Sequence, residues 1–167
     1  MWKGLERLLK LDHDLSARLA IRRAGVLRAG ATLVAHTGDG ALWIAIGPGL
    51  LLIDQPVLAL LEEVTVLALI IVVAALKFAV RRRRPTGQRG TLYLELDAHS
   101  FPSGHAARAA GLAVALGALI PQLAVGLGIW AALVSLARVG LGIHYVLDVL
   151  AGAFVGVLVG VAVVAVL

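Results

Sequence analysis

Arg138-Val-Gly-Leu-Gly-Ile-His144-Tyr-Val-Leu-Asp148 sets a fixed cation, an imidazole and a carboxylate inside an otherwise apolar half of the chain. In such surroundings a charged side chain costs roughly 2.5–3.5 kcal/mol on insertion scales, which makes all three functional candidates. Asp148 follows His144 by four residues. In a helix that spacing puts both on one face, where the carboxylate holds one ring nitrogen and leaves the other as nucleophile or base. A structural His-Asp pair satisfies the same spacing, so the rest of the chain must decide between them.

The surroundings are those of a membrane. Of 167 residues, 60% are hydrophobic, with a mean hydropathy of +0.97, which reads as an integral membrane protein of one bundle. There is no cysteine, so neither a disulfide framework nor a thiolate metal site is available. The net charge is +5, but the basic residues sit beside apolar spans with little aromatic interleaving, which argues against nucleic acid and for anionic membrane lipid as partner. Charges interrupt the N-terminus too often for the apolar stretch of a cleavable signal peptide.

Residues 2–23 alternate Lys3, Arg7, Lys10, Asp14, Arg18 and Arg22 with Leu5, Leu8, Leu9, Leu15 and Leu19. This predicts an amphipathic helix lying in the membrane interface, and residues 1–36 are read as that helix and its lead-in. Residues 37–167 form the bundle. Thr37-Gly38-Asp39-Gly40 is a turn signal, and apolar runs at 41–53, 64–80, 104–120, 123–142 and 145–167 predict about five spans in an all-α polytopic bundle. The first is short, since a bilayer core of about 30 Å asks for about 20 helical residues. Glu62 and Glu63 precede the 64–80 span, Arg81 to Arg84 follow it, and Pro85 is expected to stop it. Residues 86–101 are the longest polar loop, and Pro121-Gln122 makes a tight hairpin. Gly152, Gly156 and Gly160 recur every four residues and suit close helix approach, first within the bundle and alternatively across a homo-oligomer seam.

Counting spans gives the geometry. The 64–80 span ends on the side that holds the polar loop, the 104–120 span starts there, and two spans later Arg138 to His144 returns there. The Thr37-to-Gly40 turn lands on the same side. Separated polar clusters therefore converge at one membrane face.

Pro102-Ser103-Gly104-His105 stands where the 104–120 helix begins. Its exposed amides, reached closely because Gly104 has no side chain, form an anion site suited to phosphate; an ordinary Ser103 N-cap is the plainer reading. Lys77 lies about one turn inside its span, and needs either to snorkel or to meet an anion. Arg81 to Arg83 read as a juxtamembrane anchor, although a second phosphate could also use them.

Lys77, six residues, Arg84-Pro85; Pro102-Ser103-Gly104-His105; and Arg138, five residues, His144, three residues, Asp148 together resemble the three-part signature of the type-2 phosphatidic acid phosphatase family. That family comprises membrane lipid-phosphate phosphatases and shares its site with vanadium haloperoxidases. The resemblance covers residues 77–148, in order and with matching spacings. The family usually places Ser before the third-motif arginine, and here that residue is Ala137, which removes one hydrogen bond worth about 0.5–1.5 kcal/mol.

The resemblance implies that His144 attacks phosphorus to form a phosphohistidine, with Asp148 fixing its tautomer. His105 protonates the leaving lipid oxygen and then serves as base on water. Lys77, Arg84, Arg138 and the amides around Ser103 and Gly104 bind the phosphoryl oxygens. No cofactor or metal is implied. A metal site built from His99, His105, His144 and Asp148 would place a cation among Lys77, Arg84 and Arg138, which repel it. Candidate substrates, all from the resemblance, are phosphatidic acid, phosphatidylglycerol phosphate and polyprenyl mono- or diphosphates. A catalytically silent anionic-lipid-binding or scaffold protein, and a transporter of phosphorylated lipid, are the alternatives from other classes; neither explains an aligned His-Asp pair with a second histidine. All 15 Lys and Arg fall on the side of the site or its flanking turns, which by the positive-inside rule directs the site of this multi-pass cell-membrane protein to the cytoplasm.

Overall fold

The helix on which the three long helices close is the one richest in small residues. In the computed structural model, which describes residues 3–85 and 99–167, the stretch 104–112 (Gly-His-Ala-Ala-Arg-Ala-Ala-Gly-Leu) is buried throughout. The described helices are α1 (Lys3–Leu19), α2 (Val26–His36), α3 (Gly40–Leu52), α4 (Pro56–Val80), α5 (Gly104–Leu119), α6 (Ala124–Gly140, entered by a 3₁₀ turn at Pro121–Leu123) and α7 (Val146–Val166). Small side chains let α4, α6 and α7 close on α5 from different sides, with Leu69 and Val73 of α4 meeting Ala107, and Ala131 and Val134 of α6 meeting Ala109. Most of the polar loop, residues 86–98, lies outside the described residues.

The glycine ridge of α7 is used inside the bundle. A methyl group at Gly152 or Gly156 would run into the carbonyl oxygen of Ser103 or Ala107, and one at Gly160 would stand 2.7 Å from the Gly111 carbonyl oxygen. Close backbone approach to α5 is what these glycines provide. The seam for a second copy, expected as an alternative use of this ridge, is therefore occupied by α5.

Three helical stretches, Pro56–Val80, Pro121–Gly140 and Val146–Val166, are long and apolar enough to cross a membrane. Gly40–Leu52 and Gly104–Leu119 are apolar but shorter, 13 and 16 residues. The five expected spans thus divide into three full-length and two short ones. The short ones are bounded by Asp39 and Asp54 around α3, and by the Ser103 cap and Pro121, which cannot continue the helix, around α5. The outward faces of the long helices carry an apolar belt that includes Leu67, Ile71, Phe78, Ile129, Leu133, Phe154 and Leu158, as lipid contact requires.

Two boundaries differ from the sequence expectation. α4 starts at Pro56, a residue suited to a first helical turn, so Glu62 lies within the helix and is fully buried rather than flanking it. At its other end α4 stops at Val80, ahead of Pro85. Arg81 takes a left-handed conformation (φ 51°) and its amide donates to the Lys77 carbonyl at 2.9 Å, a helix-terminating arrangement. The chain then runs extended through Arg82 to Arg84, with Arg83 bridged to His99.

Candidate active site

In an extended segment alternate side chains face opposite ways. Arg82 and Arg84 are accordingly half-buried and turned inward, and Arg83 is exposed. This takes Arg82 out of the expected anchor run Arg81 to Arg83, of which Arg81 and Arg83 stay exposed. Arg82 is an internal bridge: Nη1 donates to Asp148 Oδ1 at 2.7 Å, Nη2 donates to Asp12 Oδ2 at 2.6 Å, and the guanidinium carbon lies 4.1 Å from the centre of the Tyr145 ring.

The third motif is folded by its own arginine. The Arg138 carbonyl accepts from the amides of Ile143 (3.2 Å) and His144 (3.3 Å), which closes the chain into a loop after α6. Gly142 makes that loop with φ 71°, in the left-handed region that favours glycine. His144 therefore precedes α7 instead of sitting on it, while Asp148 lies in the helix's first turn. The pair still meets, with His144 Nδ1 3.6 Å from Asp148 Oδ2, longer than a hydrogen bond. Asp148 Oδ2 also accepts from the Tyr145 amide at 2.9 Å.

His144 is 1% exposed, and burial pushes its imidazole down to about 4; Asp148 opposes that shift, and Arg138 and Arg84 add to it. At neutral pH the ring is uncharged. Arg84 Nη1 contacts His144 Nε2 at 3.3 Å and the Ile143 carbonyl at 3.3 Å. A guanidinium only donates, so Nε2 carries the lone pair and Nδ1 the proton on the Asp148 side.

The second motif is tied to the third by backbone. The Ser103 amide donates to the Asp148 carbonyl at 2.9 Å, and its hydroxyl accepts from the Ala106 amide at 3.5 Å as the N-cap of α5. The amide that the sequence offered to phosphate is thus committed to Asp148. Gly104 sits beside the Arg108 guanidinium and Val73, and His105, one residue on, is 2% exposed. Lys77, in the last turn of α4 and 9% exposed, donates to the His99 carbonyl at 3.0 Å, which draws the entry of the second motif onto α4. Arg138 is 6% exposed and acts electrostatically on both His105 and His144. Ala137, where a serine is usual in the resembling family, packs with Ala35 and Leu141 against α2.

Several residues that the sequence reading passed over help to build the site. Asp12 and Ser16 of α1 are 4% and 5% exposed. Asp12 Oδ1 accepts from the Leu147 amide at 2.9 Å and Ser16 Oγ from the Val146 amide at 3.0 Å, so α1 caps the helix that carries Asp148. The amphipathic helix keeps its exposed leucines, among them Leu5, Leu8 and Leu11, yet it is also docked: the Ile21 amide donates to the Gly140 carbonyl at 2.7 Å. A pocket of about 310 Å³ opens beside His144, with His13, Ser16, Arg22, Pro85 and Tyr145 in its wall. A second, apolar cavity of about 650 Å³ runs between α6 and α7 from Leu15 and Leu19 along Val139, Val146 and Leu150. Among the described residues no three His, Cys, Asp or Glu side chains gather as a metal site would require.

The histidine, aspartate and arginine motifs meet at the helix ends of a membrane-spanning bundle, as in a membrane lipid phosphatase. Residues 58–167 match the family model of the PAP2 superfamily, and the chain belongs to that superfamily. Among solved structures it is similar to the PAP2 type phosphatidylglycerolphosphate phosphatase of Bacillus subtilis, at 27% identity over 94% of this chain and 84% of that one, with a TM-score of 0.76. It is also similar to LpxE of Aquifex aeolicus, at 25% identity over 93% of this chain and 95% of that one, with a TM-score of 0.76.

Proposed function

We propose that this membrane phosphatase hydrolyses the phosphate monoester or diphosphate of a lipid by way of a phosphohistidine on His144. The observation that carries the reading is the contact of Arg84 with His144 Nε2. It puts a guanidinium against the lone pair of a neutral, carboxylate-backed imidazole, at the place where a phosphoryl group would be bound and attacked.

In this mechanism Arg84 moves from Nε2 to the phosphoryl oxygens, joined by Lys77, Arg138 and the N-terminal amides at Gly104. Nε2 forms a bond to phosphorus as the bond to the lipid oxygen breaks, and His105 gives its proton to that oxygen. The Nδ1 proton stays on the Asp148 side and the imidazolium character of the phosphohistidine is balanced by that carboxylate. His105 then takes a proton from water, the resulting hydroxide attacks phosphorus, and inorganic phosphate leaves His144 free. Arg84, Arg138 and Lys77 supply fixed positive charge throughout, where transition-state charge is spread over the phosphoryl oxygens.

The apolar cavity between α6 and α7 supports a lipid substrate, since it offers hydrocarbon a place along Val146 and Val149, next in the chain to the His144 and Tyr145 that line the smaller pocket. Phosphatidic acid, phosphatidylglycerol phosphate and polyprenyl phosphates or diphosphates all have that division between head and tail. The distribution of Lys and Arg supports a site that faces the cytoplasm. The test is inorganic phosphate release by detergent-purified protein with chelator present, across phosphatidic acid, phosphatidylglycerol phosphate and an isoprenyl diphosphate. Release that survives chelation from at least one of them is expected; release from none would overturn the proposed substrate class.

A further inference from the structure

Asp39 stands at the N-cap position of α3, where an aspartate ordinarily accepts a hydrogen bond from an amide of its own helix, yet it makes no such bond. Both carboxylate oxygens are turned to histidines. Oδ1 accepts from His105 Nε2 at 2.6 Å and Oδ2 from His36 Nδ1 at 2.7 Å. The turn that presents Asp39 is fastened on several sides. Arg108 Nε donates to the Gly38 carbonyl at 3.1 Å, Trp43 Nε1 to the Thr37 carbonyl at 2.8 Å, and Trp130 Nε1 to Thr37 Oγ1 at 2.8 Å. Gly38 lets the turn lie against the ring itself, since a methyl group there would stand 3.4 Å from His105 Cδ2 and 2.9 Å from Val134 Cγ1.

We propose that Asp39 is the positioning residue and counter-charge of His105, so that each histidine of the site has its own aspartate, Asp148 for His144 and Asp39 for His105. The proposal rests on the reading of His105 as general acid. Among the described residues, the charged groups that act on the His105 ring are Asp39, Arg138 and Arg108, of which Asp39 is the anionic one. The bond to Oδ1 keeps a proton on Nε2, which leaves Nδ1 as the nitrogen that gives and takes the proton of the reaction. Asp39 acts as a fixed anion and not as a proton carrier, because the hydrogen bond from His105, and then that from His36, hold its carboxyl well below the usual carboxylate range. His36, whose side chain is 67% exposed, closes the arrangement from the solvent side.

A general acid matters most when the leaving group is a poor one, and this separates the role from a merely structural one. The experiment measures single-turnover phosphoryl transfer to the enzyme from a short-chain phosphatidic acid, whose leaving group is an alkoxide, and from p-nitrophenyl phosphate, whose leaving group is stable without a proton. The readout is the alkyl-to-aryl rate ratio, in wild type, His105→Ala, Asp39→Asn and Asp39→Ser. Asn and Ser both keep a side chain suited to the N-cap while removing the anion. The ratio is expected to fall about 100-fold or more in His105→Ala and about tenfold or more in both Asp39 variants, within the range that general acid catalysis spans. An unaltered ratio in His105→Ala would overturn the general-acid reading on which the proposal stands. A lowered ratio in His105→Ala with an unaltered one in both Asp39 variants, whether their rates fall together or not at all, would overturn the role of Asp39 alone.

Discussion

Arg82 donates a 2.7 Å hydrogen bond to Asp148, so the carboxylate beside His144 is shared with a guanidinium. The same guanidinium holds Asp12, and through it α1 is joined to the first turn of α7. Asp148 and Asp12 side chains are 0% and 2% exposed, so both are charges that need a partner, and Arg82 partners both.

Removing Arg82 should therefore be felt in the whole protein. Arg82→Gln is expected to lower the unfolding free energy by about 3–5 kcal/mol, the usual result of stranding a buried charge. Arg83→Gln, on the exposed side of the same extended segment, is expected to change it by less than about 0.5 kcal/mol. Denaturant unfolding in detergent distinguishes the two; equal effects would show that the inward turn of Arg82 is not what matters.

The protonation of His144 gives a second prediction. Its pKa is lowered from the ordinary value of 6.5 to about 4, so the ring stays neutral as pH falls through 6 and 5 and gains a proton only near 4. An unfolded chain takes up that proton near 6.5, so the shift also removes stability progressively as pH falls from 6.5 to 4. Nitrogen NMR of histidine-labelled protein, with the resonance assigned by its loss in His144→Ala, should show a neutral Nδ1-protonated ring at pH 5. Titration near 6.5 would contradict the buried, neutral nucleophile.

The glycine ridge makes a prediction about packing. Gly156→Ala forces a methyl group onto the Ala107 carbonyl and the Gly111 amide, and overpacking of this kind typically costs about 1–3 kcal/mol. Gly126→Ala on α6 meets nothing within 4 Å and is expected to be neutral or slightly stabilising. Thermal unfolding in detergent ranks them.

The proposed orientation is open to labelling, because the chain has no cysteine of its own. Gln122→Cys, in the turn opposite the site, should react with a membrane-impermeant maleimide added to intact cells. Arg83→Cys, on the site's side, should react only after lysis. The reverse pattern would place the site outside.

Much of this architecture was legible because apolar run length and the order of polar clusters are direct consequences of what a bilayer tolerates. The span count by parity brought Lys77, Arg84, His105, Arg138, His144 and Asp148 to one face, where the structure also has them. What the sequence did not disclose depends on chain direction over a few residues. Arg82 differs from Arg83 only because α4 ends at a left-handed Arg81 and the next residues run extended. Asp12 and Ser16 are inconspicuous on a helix full of charges, and their burial follows from the unpaired amides at the start of α7 that they satisfy. The span count puts Asp39 on the same face as part of a turn. Its partner is not readable there, since a separation of 66 positions from His105 says nothing about distance in space. The signal that was available was an acidic residue in a glycine-flanked turn on the same side as two histidines.

Covalent catalysis by His144 is tested by trapping the phosphorylated enzyme. Purified protein with chelator is mixed with phosphatidic acid carrying a radioactive phosphate, quenched in alkali and digested. An alkali-stable, acid-labile label is expected on the peptide containing His144, with neither label nor phosphate release in His144→Ala. Continued phosphate release by His144→Ala, or label on a different residue, would contradict it.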